Sequence, residues 1–298
     1  MDYSINELTL SFNFDFNKSI INYIFPDSIN SIIFGDYFNQ SIISANLPKE
    51  LRSIIFGWDF NQNIINANLP NGLTSVTFGY RFNQSIISAN LPDSISSIKF
   101  GYFFNQSIMS ANLPNGLTSI TFGWEFNQSI ISANLPDSIS SIKFGVRFNQ
   151  SVINANLPNG LTSITFNQDF NQNIINANLP NDLSSIIFGC FFNQNIINAN
   201  FPHNLKSIAF GYYFNQSLIS ANLPDGLKSI TFGYSYSHSI INANLPPNLY
   251  YIIDYSGKIY FHESLPKTLY SIIYQSRELN LEVIKYKRNV GKYTKSAR

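Results

Sequence analysis

Residues 126–145 read FNQSIISANLPDSISSIKFG, and nearly the same words stand on either side of them. The period is 22 residues, kept by proline without a gap from Pro26 through Pro246, with Pro266 closing a shortened last turn. Self-similarity at such a period signals stacked coils, each touching only its neighbours. Every period holds a Pro, almost every one a Gly, and all hold many β-branched residues, which argues against repeated helices. The repeats run without a composition break, so they predict one elongated body rather than two ordinary domains.

With columns numbered from the Phe of FNQ, columns 14, 17 and 19 carry Leu or Ile, Ile, and Phe, as in Leu117, Ile120 and Phe122. That is the L-x-x-L-x-L spacing of a leucine-rich repeat, whose last two apolar residues alternate along a short strand. The expected parallel strand covers columns 15–19. Column 20 is Gly in most turns and Asn at Asn167, which suggests a tight bend with positive φ. Column 1 Phe then returns to the core. Columns 6, 8 and 10, as in Ile131, Ala133 and Leu135, alternate as a second extended run would, and Pro with NG, DS or DG ends it in a turn. Two columns are asparagine throughout, column 2 from Asn17 to Asn215 and column 9 from Asn46 to Asn244. They could be a row of ligand-binding amides; the preferred reading is a ladder in which each amide bonds the next coil. Column 16 Ser is expected to face outward.

The fold class is therefore mainly β, a leucine-rich-repeat-like solenoid of about twelve 22-residue coils with a parallel sheet. Residues 1–15 form an N-terminal half-turn cap, with Leu10 and Phe12 in register with columns 17 and 19; residues 16–275 form the repeat body. Residues 276–298 form a C-terminal cap and basic tail, where LNLEVIKYKRNV reads as a strand or short helix over the last coil.

Composition limits function more than it names it. Apolar residues make up 44% of the chain, enough for a core, while charged residues are only 12% and the net charge is +1. The body should therefore have no strong attraction to nucleic acid or anionic lipid. A single cysteine, Cys190, permits no intrachain disulfide framework. The N-terminus lacks the apolar run of a signal peptide, and no apolar stretch is long enough to span a bilayer. The expectation is a soluble, intracellular and cytoplasmic protein. Its Asn-x-Ser sequons are then by-products of the FNQS word.

Catalytic signals are thin. No P-loop, G-x-S-x-G or H-E-x-x-H word occurs. His203, His238 and His262 do not share a column, so a metal site is not expected, and Cys190 reads as a half-buried thiol rather than a nucleophile. No cofactor or small-molecule substrate is implied.

The words FNQ, LP and S-I-x-F-G at this period resemble the FNIP repeat family, named for its Phe-Asn and Ile-Pro dipeptides; here Leu-Pro mostly replaces Ile-Pro. The resemblance covers roughly residues 8–275. It implies a leucine-rich-repeat-like, non-catalytic protein-interaction scaffold of social amoebae or of large DNA viruses that infect amoebae, in the latter case within the host cytoplasm. A common relative carries an F-box ahead of its repeats. Only 15 residues precede Phe16, so no F-box and no ubiquitin-ligase adaptor role is expected.

What differs between copies points to the partner surface. Residues 82–125 and 126–169 differ at eight of 44 positions, and four of the eight fall in columns 21 and 22. Across the array those columns hold Tyr37, Trp58, Tyr80, Arg81, Tyr102, Phe103, Trp124, Arg147, Phe191, Tyr212 and Tyr213. Trp, Tyr and Arg carry much of the energy at protein interfaces. They form a candidate binding rim beside a concave strand face, engaging an unidentified protein; the bland alternative is permissive loop surface. Interruption of column 18 by Lys and Ile argues against an ice- or carbohydrate-binding ladder. The tail cations Lys285, Lys287, Arg288, Lys292, Lys295 and Arg298 could touch nucleic acid or an acidic membrane, although a solvated end protecting the open core is preferred. The competing role is a structural solenoid, either monomeric or associating end to end.

Overall fold

A computed structural model of the chain describes residues 3–6, 8–240, 243–258, 265, 266, 268–275, 281–285, 287–289 and 292–294. His262, Lys295 and Arg298 lie outside the described residues. Two compact units divide the chain, Met1–Phe148 and Asn149–Arg298. Both are built as β-solenoids from the same coil, about twelve coils in all, and no helix occurs among the described residues.

In the first unit, β1 (Tyr3–Asn6) and β2 (Thr9–Phe12) form an antiparallel pair. There follow β3 (Ser31–Ile33), β4 (Ser53–Ile55), β5 (Ser75–Thr77), β6 (Ser97–Lys99), β7 (Ser119–Thr121) and β8 (Ser141–Lys143). Each of these pairs in parallel with the strand before it, Ser on Ser and Ile on Ile. Leu10 stands opposite Ile32, so the N-terminal half-turn is in register as expected. In the second unit, β9 (Ser163–Thr165), β10 (Ser185–Ile187), β11 (Ser207–Ala209), β12 (Ser229–Phe232), β13 (Tyr251–Asp254) and β14 (Ser271–Gln275) repeat the parallel pattern. The C-terminal segment is a strand, not a helix: β15 (Leu281–Lys285) pairs antiparallel with β14, and β16 (Lys287–Asn289) with β17 (Lys292–Thr294) forms a hairpin.

Most of the coil strands are three residues long, columns 16–18, and not the five expected. Phe at column 19 still donates across to the next coil, as Phe100 N does to Thr121 O at 2.9 Å. The apolar columns 14, 17 and 19 are buried as their spacing requires: Leu117, Ile120 and Phe122 are all core. Column 1 Phe is fully buried and stacks from coil to coil, with Phe104 at 6.1 Å from Phe82 and 6.0 Å from Phe126. Within a coil it also stacks on column 19, Phe100 to Phe104 at 3.8 Å. Outward-facing column 16 serines are half-buried, and Ser75 bonds Ser53 and Ser207 bonds Ser185 through their hydroxyls.

Two expectations fail for identifiable reasons. Columns 6, 8 and 10 are not an extended run. Column 5 is the buried one, Ile130 rather than Ile131, and a turn occupies columns 6 and 7. Among the described residues column 7 takes positive φ in nine coils, with Ser132 at 64° and Asn154 at 63°. Its Ser or Asn is the kind of residue that tolerates that conformation, aided by the column 4 side chain, whose oxygen accepts from the column 6 N–H. Column 20 glycine, by contrast, does not have positive φ. It is glycine because coils approach there: a Cβ on Gly101 would strike the carbonyl of Gly79, and one on Gly123 that of Gly101.

Candidate functional site

Columns 20 to 2 form an inner turn that leaves the strand, passes two variable residues and plunges back at column 1. Its backbone is tied to the preceding coil, since the column 22 N–H donates to the column 21 carbonyl one coil back. Arg81 N to Trp58 O and Phe103 N to Tyr80 O, at 2.9 and 3.0 Å, are examples. Across columns 21 and 22 the frame is fixed by backbone bonds, which leaves their side chains free to vary.

In the first unit, column 21 is a ladder of rings. Trp58 stacks on Tyr80 at 3.9 Å, Tyr80 on Tyr102 at 4.5 Å, and Tyr102 on Trp124 at 5.3 Å, with interplanar angles of 15 to 22°. Phe103 closes edge-on against Tyr80 and Tyr102. Trp58 and Trp124 remain 49% and 41% exposed, so the ladder offers solvent its ring edges and hydroxyls while its faces meet each other. Partial burial raises the Tyr102 phenol above its ordinary pKa; Tyr80 and Glu125 add to this and Arg147 opposes it. Tyr37 stands apart, meeting Phe14 edge-on at 5.8 Å. Arg81 pairs with Asp59 at 3.3 Å.

The second unit carries its own cluster. Phe191 stacks on Tyr213 at 5.3 Å, Tyr212 packs against Tyr213, and Tyr212 stacks on Tyr234 at 5.0 Å, followed by Tyr255 at 5.7 Å. Tyr234 was missed by sequence reasoning although it occupies column 21 one coil further on. Phe14, two residues after Phe12 of column 19, also stands in column 21 and was missed, whereas Tyr255 had no column signal to find it.

The asparagine columns separate. Within each unit the column 2 Oδ1 accepts two bonds from the next coil, as Asn105 Oδ1 does from Asn127 N at 2.9 Å and from Gln128 Nε2 at 3.0 Å. The amide ladder expected there exists. Column 9 does not form one; Asn112, Asn134 and their equivalents are exposed, with no side-chain hydrogen bond among the described residues. His238 Nε2 lies 3.0 Å from Asn215 O, and no group of three or more His, Cys, Asp and Glu suited to a metal ion occurs among the described residues. Cys190 is a half-buried free thiol. Nor is any helix among them long and apolar enough to cross a membrane.

The decisive comparison is with the FNIP Repeat family, whose pattern matches residues 16–59, 60–103, 104–146, 148–191, 192–235 and 214–253. The chain belongs to the FNIP repeat family. Among solved structures, this FNIP chain is similar to CroV588, described as a novel circular LRR protein structure, at 32% identity and a TM-score of 0.71. The match covers 92% of this chain and 51% of CroV588, so the FNIP chain spans about half the length of that relative. A leucine-rich repeat protein from Eubacterium ventriosum aligns over 89% of this chain and 87% of its own at 11% identity, with a TM-score of 0.17. A comparison with curated proteins finds no match. The FNIP chain is a repeat solenoid scaffold of the leucine-rich-repeat kind.

Proposed function

We propose that the chain is a non-catalytic scaffold that binds a partner protein through its strand face and the aromatic rim of columns 21 and 22. The observation that carries this reading is the ladder Trp58–Tyr80–Tyr102–Trp124, four large aromatic rings in contact and partly exposed on a backbone that does not need them. Contiguous exposed aromatics on a soluble chain mark interaction surfaces, and Trp and Tyr are enriched among the residues that dominate binding energy. Arg81, Phe103 and Arg147 flank the ladder, and Phe191, Tyr212 and Tyr213 supply a second patch in the other unit. An intracellular location accords with the single cysteine.

The test replaces Trp58, Tyr80, Tyr102 and Trp124 by Ser together. The expected outcome is a chain that keeps its β-sheet circular dichroism and loses proteins captured by the wild type from a cell lysate. Retention of every captured protein by a folded variant would sink the rim as the binding surface.

A further inference from the structure

Beside the ring ladder, in the first unit, runs an open polar cleft of about 430 Å³ lined by Asn17, Tyr37, Asn39, Asp59, Asn61 and Arg81. Three of its walls are column 2 amides. Their orientation is fixed because each Oδ1 accepts a backbone N–H and a Gln Nε2 from the next coil, at 2.9 to 3.0 Å. The acceptor ends are therefore spent, and the three Nδ2 groups, which have no partner among the described residues, remain as a row of donors, one per coil. Water meets these donors in the open cleft of the free chain, and an occupant that brings acceptors would exchange it for direct hydrogen bonds.

The chemistry of the acceptor can be narrowed. Arg81 and Asp59 neutralise one another at 3.3 Å, so the cleft has no net charge to hold an anion. Sugar hydroxyls would bring as many donors as acceptors, whereas the cleft offers them little beyond Asp59 and the Tyr37 hydroxyl. A proline-rich segment in the polyproline II conformation fits better. Proline has a carbonyl and no N–H, so its backbone accepts hydrogen bonds and donates none. Polyproline II leaves those carbonyls unpaired and is already stiff, which limits the entropy lost on docking. Its three-residue turn of about 9.3 Å nearly matches two coil steps of about 4.8 Å each where the backbones are hydrogen-bonded. Asn17 and Asn61 stand two coils apart, and the half-exposed ring of Tyr37 offers a surface for a pyrrolidine.

We infer that this cleft docks a proline-rich segment of a partner protein, with the Asn17 and Asn61 amides, one polyproline II turn apart, donating to its carbonyls. The inference rests on the reading of the chain as a protein-binding scaffold and names the class of partner.

Labelled decaproline, titrated into the full chain and followed by fluorescence anisotropy, provides the test. Asn61→Asp keeps the oxygen that accepts from Asn83 and Gln84 and removes the donor, so the ladder and the melting temperature should be retained. Binding should weaken about tenfold, the equivalent of one hydrogen bond at the upper end of the usual range. Asn112→Asp, an exposed column 9 change of the same charge, should leave affinity unaltered. The inference is overturned by no decaproline binding up to millimolar concentration, by equal weakening in both variants, or by binding of cellohexaose in place of decaproline. If decaproline fails while the four-serine rim variant loses its captured proteins, the cleft is wrong and the rim reading stands.

Discussion

The inner turn, columns 20 to 2, and the outer turn, columns 4 to 9, are equally regular in sequence and opposite in physics. The inner turn closes locally, as Phe126 N to Gly123 O at 3.2 Å, and adds bonds that run between coils: column 22 N–H to the column 21 carbonyl, and column 2 Oδ1 to the next coil. Outer-turn bonds are local, such as Ala133 N to Ile130 O at 3.1 Å and Ile131 N to Ser129 Oγ at 3.2 Å. The inner turn therefore transmits the stacking of one coil to the next, while the outer turn only folds a coil back on itself. Repetition of a word thus says that its role is repeated; it does not say whether the role joins coils.

The most severe way to break this contrast is to empty one position in each turn. Phe104 is fully buried among Phe82, Phe100 and Phe126, so Phe104→Ala should cost about 3–5 kcal/mol. Ile131 sits half-buried at the outer turn, and Ile131→Ala should cost well under half as much. Urea denaturation of the two variants measures both; comparable losses would mean that the outer turn also carries load between coils.

The asparagine rows give a sharper, smaller test because the residue type is the same. Asn105→Ala leaves the Asn127 N–H and the Gln128 amide without their acceptor, at a cost of about 1–3 kcal/mol. Asn112→Ala, at an exposed site, should stay within about 0.5 kcal/mol of the wild type. Equal effects would erase the distinction between the rows.

The sequence made the array legible where spacing and burial are the same thing. Leu117, Ile120, Phe122 and Phe126 could be placed because an apolar residue every second or third position has one buried face available to it. Two adjacent isoleucines, Ile130 and Ile131, defeated that logic. Which of them turns inward depends on the positive φ of Ser132, and Ser signals such a conformation far more weakly than Gly does. Gly123 misled in the opposite direction, since glycine also serves where backbones nearly touch. The rim could be picked out because its columns change while their neighbours do not. Ring-on-ring stacking there, and the cleft beside it, depend on how coils are stacked and cannot be read from any one coil.

The inner turn itself changes character at one place, which allows the comparison to be pressed further. In the second unit Tyr236 takes the column 1 Phe position, Ser237 replaces Asn, and Asp254 occupies the Phe column of the next coil. Tyr236 and Asp254 are both fully buried. Asp254 Oδ1 accepts from Ser256 N and Oγ and from Gly257 N, whereas the Tyr236 hydroxyl is buried without a hydrogen-bond partner among the described residues. Burial first, and the Asp254 carboxylate second, push the Tyr236 phenol well above its ordinary value of 10.0. Tyr236→Phe removes an unsatisfied polar atom and keeps the ring stack with Phe232 and Phe214, so it should stabilise the chain by about 1 kcal/mol near neutral pH. Above pH 10.0 the unfolded phenol releases its proton while the folded one holds it, so the wild type loses stability as pH rises and the variant lacks that loss. The gap in melting temperature between the two should therefore widen on the alkaline side. A variant that melts lower than the wild type at neutral pH would show that the hydroxyl does have a partner, most simply a buried water shared with Asp254, and that the inner turn can repair a polar intrusion within its own core.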